Sequence, residues 1–259
     1  MKSVFPVLGI FFFLCFQGYT QDTTIQKITF DRPGIADSPY LVPVNSFQVE
    51  SGFTYNNEFG ISEAWLPAML VRIPFVEKSE IRLTLNYEPQ SLKFINDNYS
   101  KGYDPVAIGF KKHLINHGKN FPEMALSANV FYPLQFPGNG IEKNEICFDS
   151  YLLFQNNINH KHALNYNVGY VYANSRNKNM LAWSFCYNFA HIETLTLFAE
   201  YFGYYHFTGN ETETGIDGGI IWQFHDYLQA DISYVYNFFQ NDRAGFLLMG
   251  FSFNIPVKG

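Results

Sequence analysis

The sequence predicts an all-β protein: a transmembrane antiparallel β-barrel of about twelve strands behind an extended N-terminal arm. Three observations carry this. From Phe47 almost to the C-terminus, apolar and polar residues alternate in successive segments, so that Phe47, Val49, Phe53 and Tyr55 fall on one face of a strand and Gln48, Glu50, Thr54 and Asn56 on the other. The apolar face is also the aromatic face in nearly every segment. Leu164, Tyr166, Val168, Tyr170 and Tyr172 are one such run, and Leu181, Trp183, Phe185, Tyr187 and Phe189 are another. Finally, the chain is 47% hydrophobic and 19% aromatic but only 15% charged, with a mean hydropathy of -0.11. A soluble domain carries about 25% charge, and a helical membrane protein needs runs of about 20 apolar residues that this chain lacks beyond its N-terminus. A barrel satisfies both conditions, because lipid-facing and lumen-facing residues average out along each strand.

Taken in order, residues 1–20 read as a secretory signal peptide. Lys2 supplies the positive charge, Val4 to Phe16 form an apolar core, and Gly18 and Thr20 precede cleavage before Gln21. The bulky Phe13 and Leu14 ahead of Cys15 argue against a lipoprotein signal. Residues 21–45 show no sustained alternation and are broken by Pro33, Pro39 and Pro43. They are expected to form an arm, either periplasmic or plugging the lumen. Residues 46–259 form the barrel.

The expected strands run near 46–56, 65–75, 79–88, 105–113, 123–132, 145–155, 162–173, 180–189, 193–206, 214–224, 227–238 and 244–255. Each has about the length that a tilted strand needs to cross a bilayer. Long connections near 89–104 and 133–144 are expected outside, with tight turns at Val76–Lys78 and around His225-Asp226 in the periplasm. Pro67 and Pro74 cannot donate to a ladder, which predicts a bulge or frayed segment in the second strand. A soluble β-sandwich should carry charge on its outward faces, and a lipocalin-like barrel should have eight strands with apolar residues inside. Neither fits.

With the aromatic face toward lipid, the polar face lines a lumen. Parity places Arg72, Arg82 and Lys111 on one wall and Glu200, Asp217 and Asp231 on another, with Glu50, Glu80, Glu88, Glu123 and Asp149 also pointing inward. Opposed basic and acidic walls would lay a field across a narrow wet pore and set ion preference. The bland alternative is that these charges pair and stiffen the barrel. Enzymatic chemistry has weak support. His113, His117, His160, His162, His191, His206 and His225 fall in turns or near strand ends, and none is followed by the Ser and Gly of a hydrolase site. His160 and His162 could share a metal on one strand face, but no carboxylate stands at a ligand spacing. Nothing implies a cofactor. Cys147 and Cys186 lie on strands that are not neighbours, which disfavours a disulfide. A formal net charge of -6 gives no electrostatic footprint for nucleic acid.

The segment Asp31-Arg32-Pro33-Gly34, Ser38-Pro39, Val42-Pro43 and Phe47-Gln48-Val49-Glu50-Ser51-Gly52-Phe53 resembles the opening of the outer-membrane transporter family named for the MetA pathway of phenol degradation. There a similar arm leads into the first strand. The resemblance carries Asp31, Arg32, Pro33 and Glu50 forward as motif positions. It implies an outer-membrane barrel of a Gram-negative bacterium that passes small molecules, apolar or aromatic ones among them. One departure is the C-terminus, where Pro256-Val257-Lys258-Gly259 follows Ile255 in place of a terminal aromatic.

These readings converge on a monomeric channel or facilitator surrounded by outer-membrane lipids and inserted by the barrel-assembly machinery. Its arm would enter the lumen, with Arg32 pairing with Glu50 or the far acidic wall. A non-conducting anchor or docking platform acting through the outer loops is the alternative from another class, and a lipid-modifying enzyme is a third.

Overall fold

A computed structural model describes residues 29–58, 61–85, 106–116, 118, 121–132, 147–173, 178–238 and 245–257. Twelve antiparallel strands form a closed barrel in chain order. They are β1 (Ser46–Glu58), β2 (Ile61–Pro74), β3 (Ser79–Leu85), β4 (Val106–Ile115), β5 (Glu123–Tyr132), β6 (Cys147–Asn157), β7 (His162–Ala173), β8 (Lys178–Ile192), β9 (Leu195–His206), β10 (Glu211–His225), β11 (Leu228–Asn237) and β12 (Gly245–Pro256). β1 pairs with β12 from Ser46 opposite Pro256 to Asn56 opposite Phe246, which closes the sheet and leaves no free edge. The strand count matches the sequence expectation, and most ends shift by only one to four residues. The expected long outer loops, Glu88 and His117 lie outside the described residues.

The second strand behaves as its prolines require. Gly52 pairs with Ala68 and Thr54 with Trp65, so Leu66 and Pro67 stand opposite Phe53 alone. This is a β-bulge, which absorbs a residue that cannot join the ladder. Pro74 is the last residue of its strand, where little of the ladder remains to interrupt.

Burial is inverted relative to a soluble domain. The largest fully buried side chains include Arg72, Lys111, Gln48, Glu50 and Glu80, whereas Phe53, Ile108, Val130, Val168, Phe185 and Tyr234 are exposed. Charged residues are almost never fully buried in soluble proteins unless paired, and among the described residues the cluster of buried apolar side chains is small, Ala36, Cys186 and Phe198 with Ile221 against them. The outer surface is therefore the apolar one. It carries stacked cross-strand pairs such as Phe154 and Tyr166, with ring centroids 5.0 Å apart. Val168, near the middle of β7 and outward-facing, tests this orientation. Val168→Arg is expected to destabilise the barrel by about 2–4 kcal/mol in lipid vesicles, measured by reversible denaturant unfolding. A cost near zero would mean that this face does not meet hydrocarbon.

Candidate functional site

The hairpin registers build the basic wall. Arg72 of β2 lies directly opposite Arg82 of β3, and Glu80 of β3 directly opposite Lys111 of β4. Three cations converge here, and like charges at such spacing repel. The structure answers this with carboxylates in place. Arg72 forks onto Glu80, with Nε donating to Oε1 at 2.8 Å and Nη2 to Oε2 at 3.1 Å. Its Nη1 donates to Gln48 at 3.0 Å and to Glu50 at 3.2 Å.

The centre of the cluster comes from the arm. Asp31 Oδ2 lies 2.5 Å from Arg82 Nη1, 2.8 Å from Lys111 Nζ and 3.4 Å from Arg72 Nη1. Its Oδ1 accepts from Ser38 N and Ser38 Oγ, which folds residues 31–38 into a compact loop. Burial alone would raise the Asp31 carboxyl, but Arg72, Lys111 and Arg82 outweigh it and hold the group well below the usual carboxylate range.

The arm's own backbone is satisfied by the barrel wall. Glu50 accepts from the amides of Asp31 at 3.0 Å and Arg32 at 2.8 Å, and Glu80 accepts from Val42 N at 3.0 Å. Arg72 and Lys111 return the favour to carbonyls, donating to Tyr40 O at 2.8 Å and Ser38 O at 2.9 Å. Irregular backbone buried against a barrel wall needs such partners, since its amides and carbonyls have no ladder of their own.

From this anchor the arm crosses to the far wall. Arg32 Nη2 lies 3.0 Å from Asp231 Oδ1 of β11, and Ile35 N donates to Glu200 Oε2 of β9 at 2.8 Å. Gly52 and Gly250, paired across β1 and β12, lie under the Arg32 guanidinium, so that a Cβ on either would collide with it. Asn167 of β7 donates to Asp37 O, and Gln229 of β11 to Arg32 O. Tyr40 OH accepts from Asn157 at 2.9 Å. A cavity of about 600 Å3 remains on the short-turn side of the arm, reaching Asn159, His160 and Lys161 in one turn and Glu193 and Thr194 in another.

Among the residues picked from sequence, Arg72, Arg82, Lys111 and Glu50 come together in one cluster. Glu200 and Asp217 pair directly across β9 and β10, while Asp231 is taken by Arg32. Asp149 stands apart, accepting from Asn129 at 2.7 Å. Pro33 follows Arg32 through a cis peptide bond. The picture of two opposed charged walls needs correction, because Asp31, Glu50 and Glu80 neutralise the basic wall where it stands. Sequence parity did flag Glu80 as inward; the amide and carbonyl partners from the arm had no periodic signal to reveal them. Of the histidines, His113 pairs with Glu123, His206 lies 3.1 Å from Glu213, and His162 bonds Tyr187 OH, so each has a local wall or surface partner. Among the described residues no three His, Cys, Asp or Glu side chains converge to hold a metal.

Residues 30–255 match the model of the family described as "Putative MetA-pathway of phenol degradation". The chain belongs to this family. No curated protein sequence matches it. Several solved barrels share its fold. An outer membrane channel from Pseudomonas putida F1 is 8% identical with a TM-score of 0.58, covering 86% of this chain and 99% of that one. The NanC porin is 10% identical with a TM-score of 0.54, covering 80% and 98%. The CymD monoaromatic hydrocarbon channel is 7% identical with a TM-score of 0.50, covering 84% and 90%. At such identities the likeness is one of fold, that of an outer-membrane-type β-barrel.

Proposed function

We propose that this chain is an outer-membrane channel for small molecules whose lumen is gated by its own arm. The observation that carries the reading is the arm spanning a polar-lined barrel, bonded to Arg72, Arg82 and Lys111 on one side and to Asp231 and Glu200 on the other. A structural anchor has no need of a buried polar lumen, which costs free energy unless every group is paired. The family match and the channels of similar fold support the same reading, and no solute is singled out by them. The protein would be exported through its signal peptide, inserted by the barrel-assembly machinery and act as a monomer without chemistry of its own.

Planar-bilayer recording of the wild type and of a deletion of residues 21–40 tests both parts. The wild type is expected to conduct weakly, and the deletion to give several-fold larger, longer openings, as removal of a lumen obstruction should. Equal conductance and ion preference in the two would reject the gate. Silence in both would reject the pore and favour a docking platform that acts through its loops.

A further inference from the structure

We infer that the wall formed by β8, β9 and β10 is a recognition site for small organic ammonium ions; this rests on the channel reading above. The four cations of the described lumen are already engaged. Arg72, Arg82 and Lys111 are tied to Asp31 and Glu80, and Arg32 to Asp231. Glu200 and Asp217 differ. Among the described residues no Lys, Arg or His nitrogen forms an ion pair with either, although they face each other directly in the β9–β10 ladder and are 3% and 5% exposed. Two carboxylates so placed repel unless a cation or a shared proton lies between them, and an ammonium group can supply either. Glu200 uses Oε2 for Ile35 N while its Oε1 has no hydrogen-bond partner, and Asp217 has only neutral donors beside it, the Gly218 amide and the Ser233 hydroxyl.

A second observation points to the same class of ligand. Ser184 lies opposite Phe202, next to Glu200 along the wall, and Asn167 lies opposite Ser184. Both face inward and are more than nine-tenths buried, yet Ser184 Oγ and Asn167 Oδ1 are unpartnered. Buried polar atoms left without partners are costly and uncommon. The Ser184 hydroxyl can donate as well as accept, so what the wall lacks is positive charge. An anion would meet two carboxylates, and a hydrocarbon would leave every acceptor unmatched. An ammonium group supplies several N–H donors and the charge.

The aromatic residues complete the match. Phe202 lies along the wall over Gly215, two residues from Asp217, where a Cβ would collide with its ring. Tyr204 meets it edge-on at 6.4 Å. Ring faces attract ammonium ions, more strongly once these are desolvated. One ammonium group held by hydrogen bonds fits these oxygens. Ile35 N holds Glu200 Oε2 and leaves Oε1 for the ligand.

Isothermal titration of the detergent-purified full-length protein with phenethylammonium, and with 2-phenylethanol as its uncharged counterpart, tests this. The amine is expected to bind and the alcohol to bind at least about tenfold more weakly. Asp217→Asn, which removes no arm hydrogen bond, is expected to weaken the amine by about tenfold with the alcohol unchanged, and Glu200→Gln in addition to weaken it further. Equal binding of amine and alcohol, no binding of either, or an amine affinity indifferent to Asp217→Asn would each overturn the inference. Conductance separates the two readings. Amine binding without conductance would keep this site and reject the channel, whereas conductance without amine preference would do the reverse.

Discussion

Asp31→Asn is expected to undock the arm and to destabilise the folded protein by about 3–5 kcal/mol, the range for removing one member of a buried ion cluster. The substitution keeps the shape and takes away the charge. Arg72, Arg82 and Lys111 then face one another with only Glu50, Glu80 and Asp37 left nearby, and Lys111 and Arg82 lose their shortest carboxylate contacts. Bilayer recording should show the variant opening like the arm deletion, and thermal unfolding in detergent should show a lower Tm. The pH dependence follows from the folded Asp31 carboxyl lying below its ordinary value of 3.8. A group depressed in this way contributes fully above its unfolded pKa and loses that contribution as pH falls toward the folded one. The Tm difference between wild type and variant should therefore stay constant from about pH 8 to pH 5 and shrink below about pH 4. A difference that vanishes at neutral pH would show that Asp31 does not hold the cluster together.

The barrel was legible because its signal is local. A period of two, a lipid-facing aromatic stripe and tight turns determine strand, face and order with no knowledge of partners. The hairpin rule even places Arg72 against Arg82, since a turn of known length sets the register between neighbours. Asp31 was legible only as a motif position. Its contacts with Arg82 and Lys111 span 51 and 80 residues, and the arm has no regular period from which to infer a path. A field between opposed walls was expected because charges were counted on strands alone. Once the arm enters, the basic side is neutral in place, and among the described inward carboxylates picked from sequence those without an ion-pair partner are Asp149, Glu200 and Asp217. The same logic explains the glycines. A glycine inside a strand ordinarily weakens it, and only the arm shows what the missing side chains of Gly52 and Gly250 make room for.

Gly250→Val isolates that cradle. Valine favours strands intrinsically, so on the barrel alone the change should be neutral or mildly stabilising. Its side chain, however, would point inward, where the Arg32 guanidinium lies across Gly52 and Gly250 and bonds Asp231, the residue opposite Gly250 in the β11–β12 ladder. Arg32 must then leave and the buried Asp231 loses its partner. Hydrogen bonds to charged groups contribute about 1.5–3 kcal/mol, so arm docking should weaken by roughly tenfold or more. The far-wall half of the arm should come loose while Asp31 stays seated. Bilayer recordings are expected to show more frequent openings, smaller in amplitude than those of the arm deletion, with the unfolding midpoint changed far less than by Asp31→Asn. The decisive comparison is Gly250→Val against Arg32→Ala and the two combined. If both act through the same contact, the double variant should open no more often than the stronger single one, as a double-mutant cycle requires of residues in one interaction. Fully additive effects would mean that Gly250 serves the strand rather than the arm.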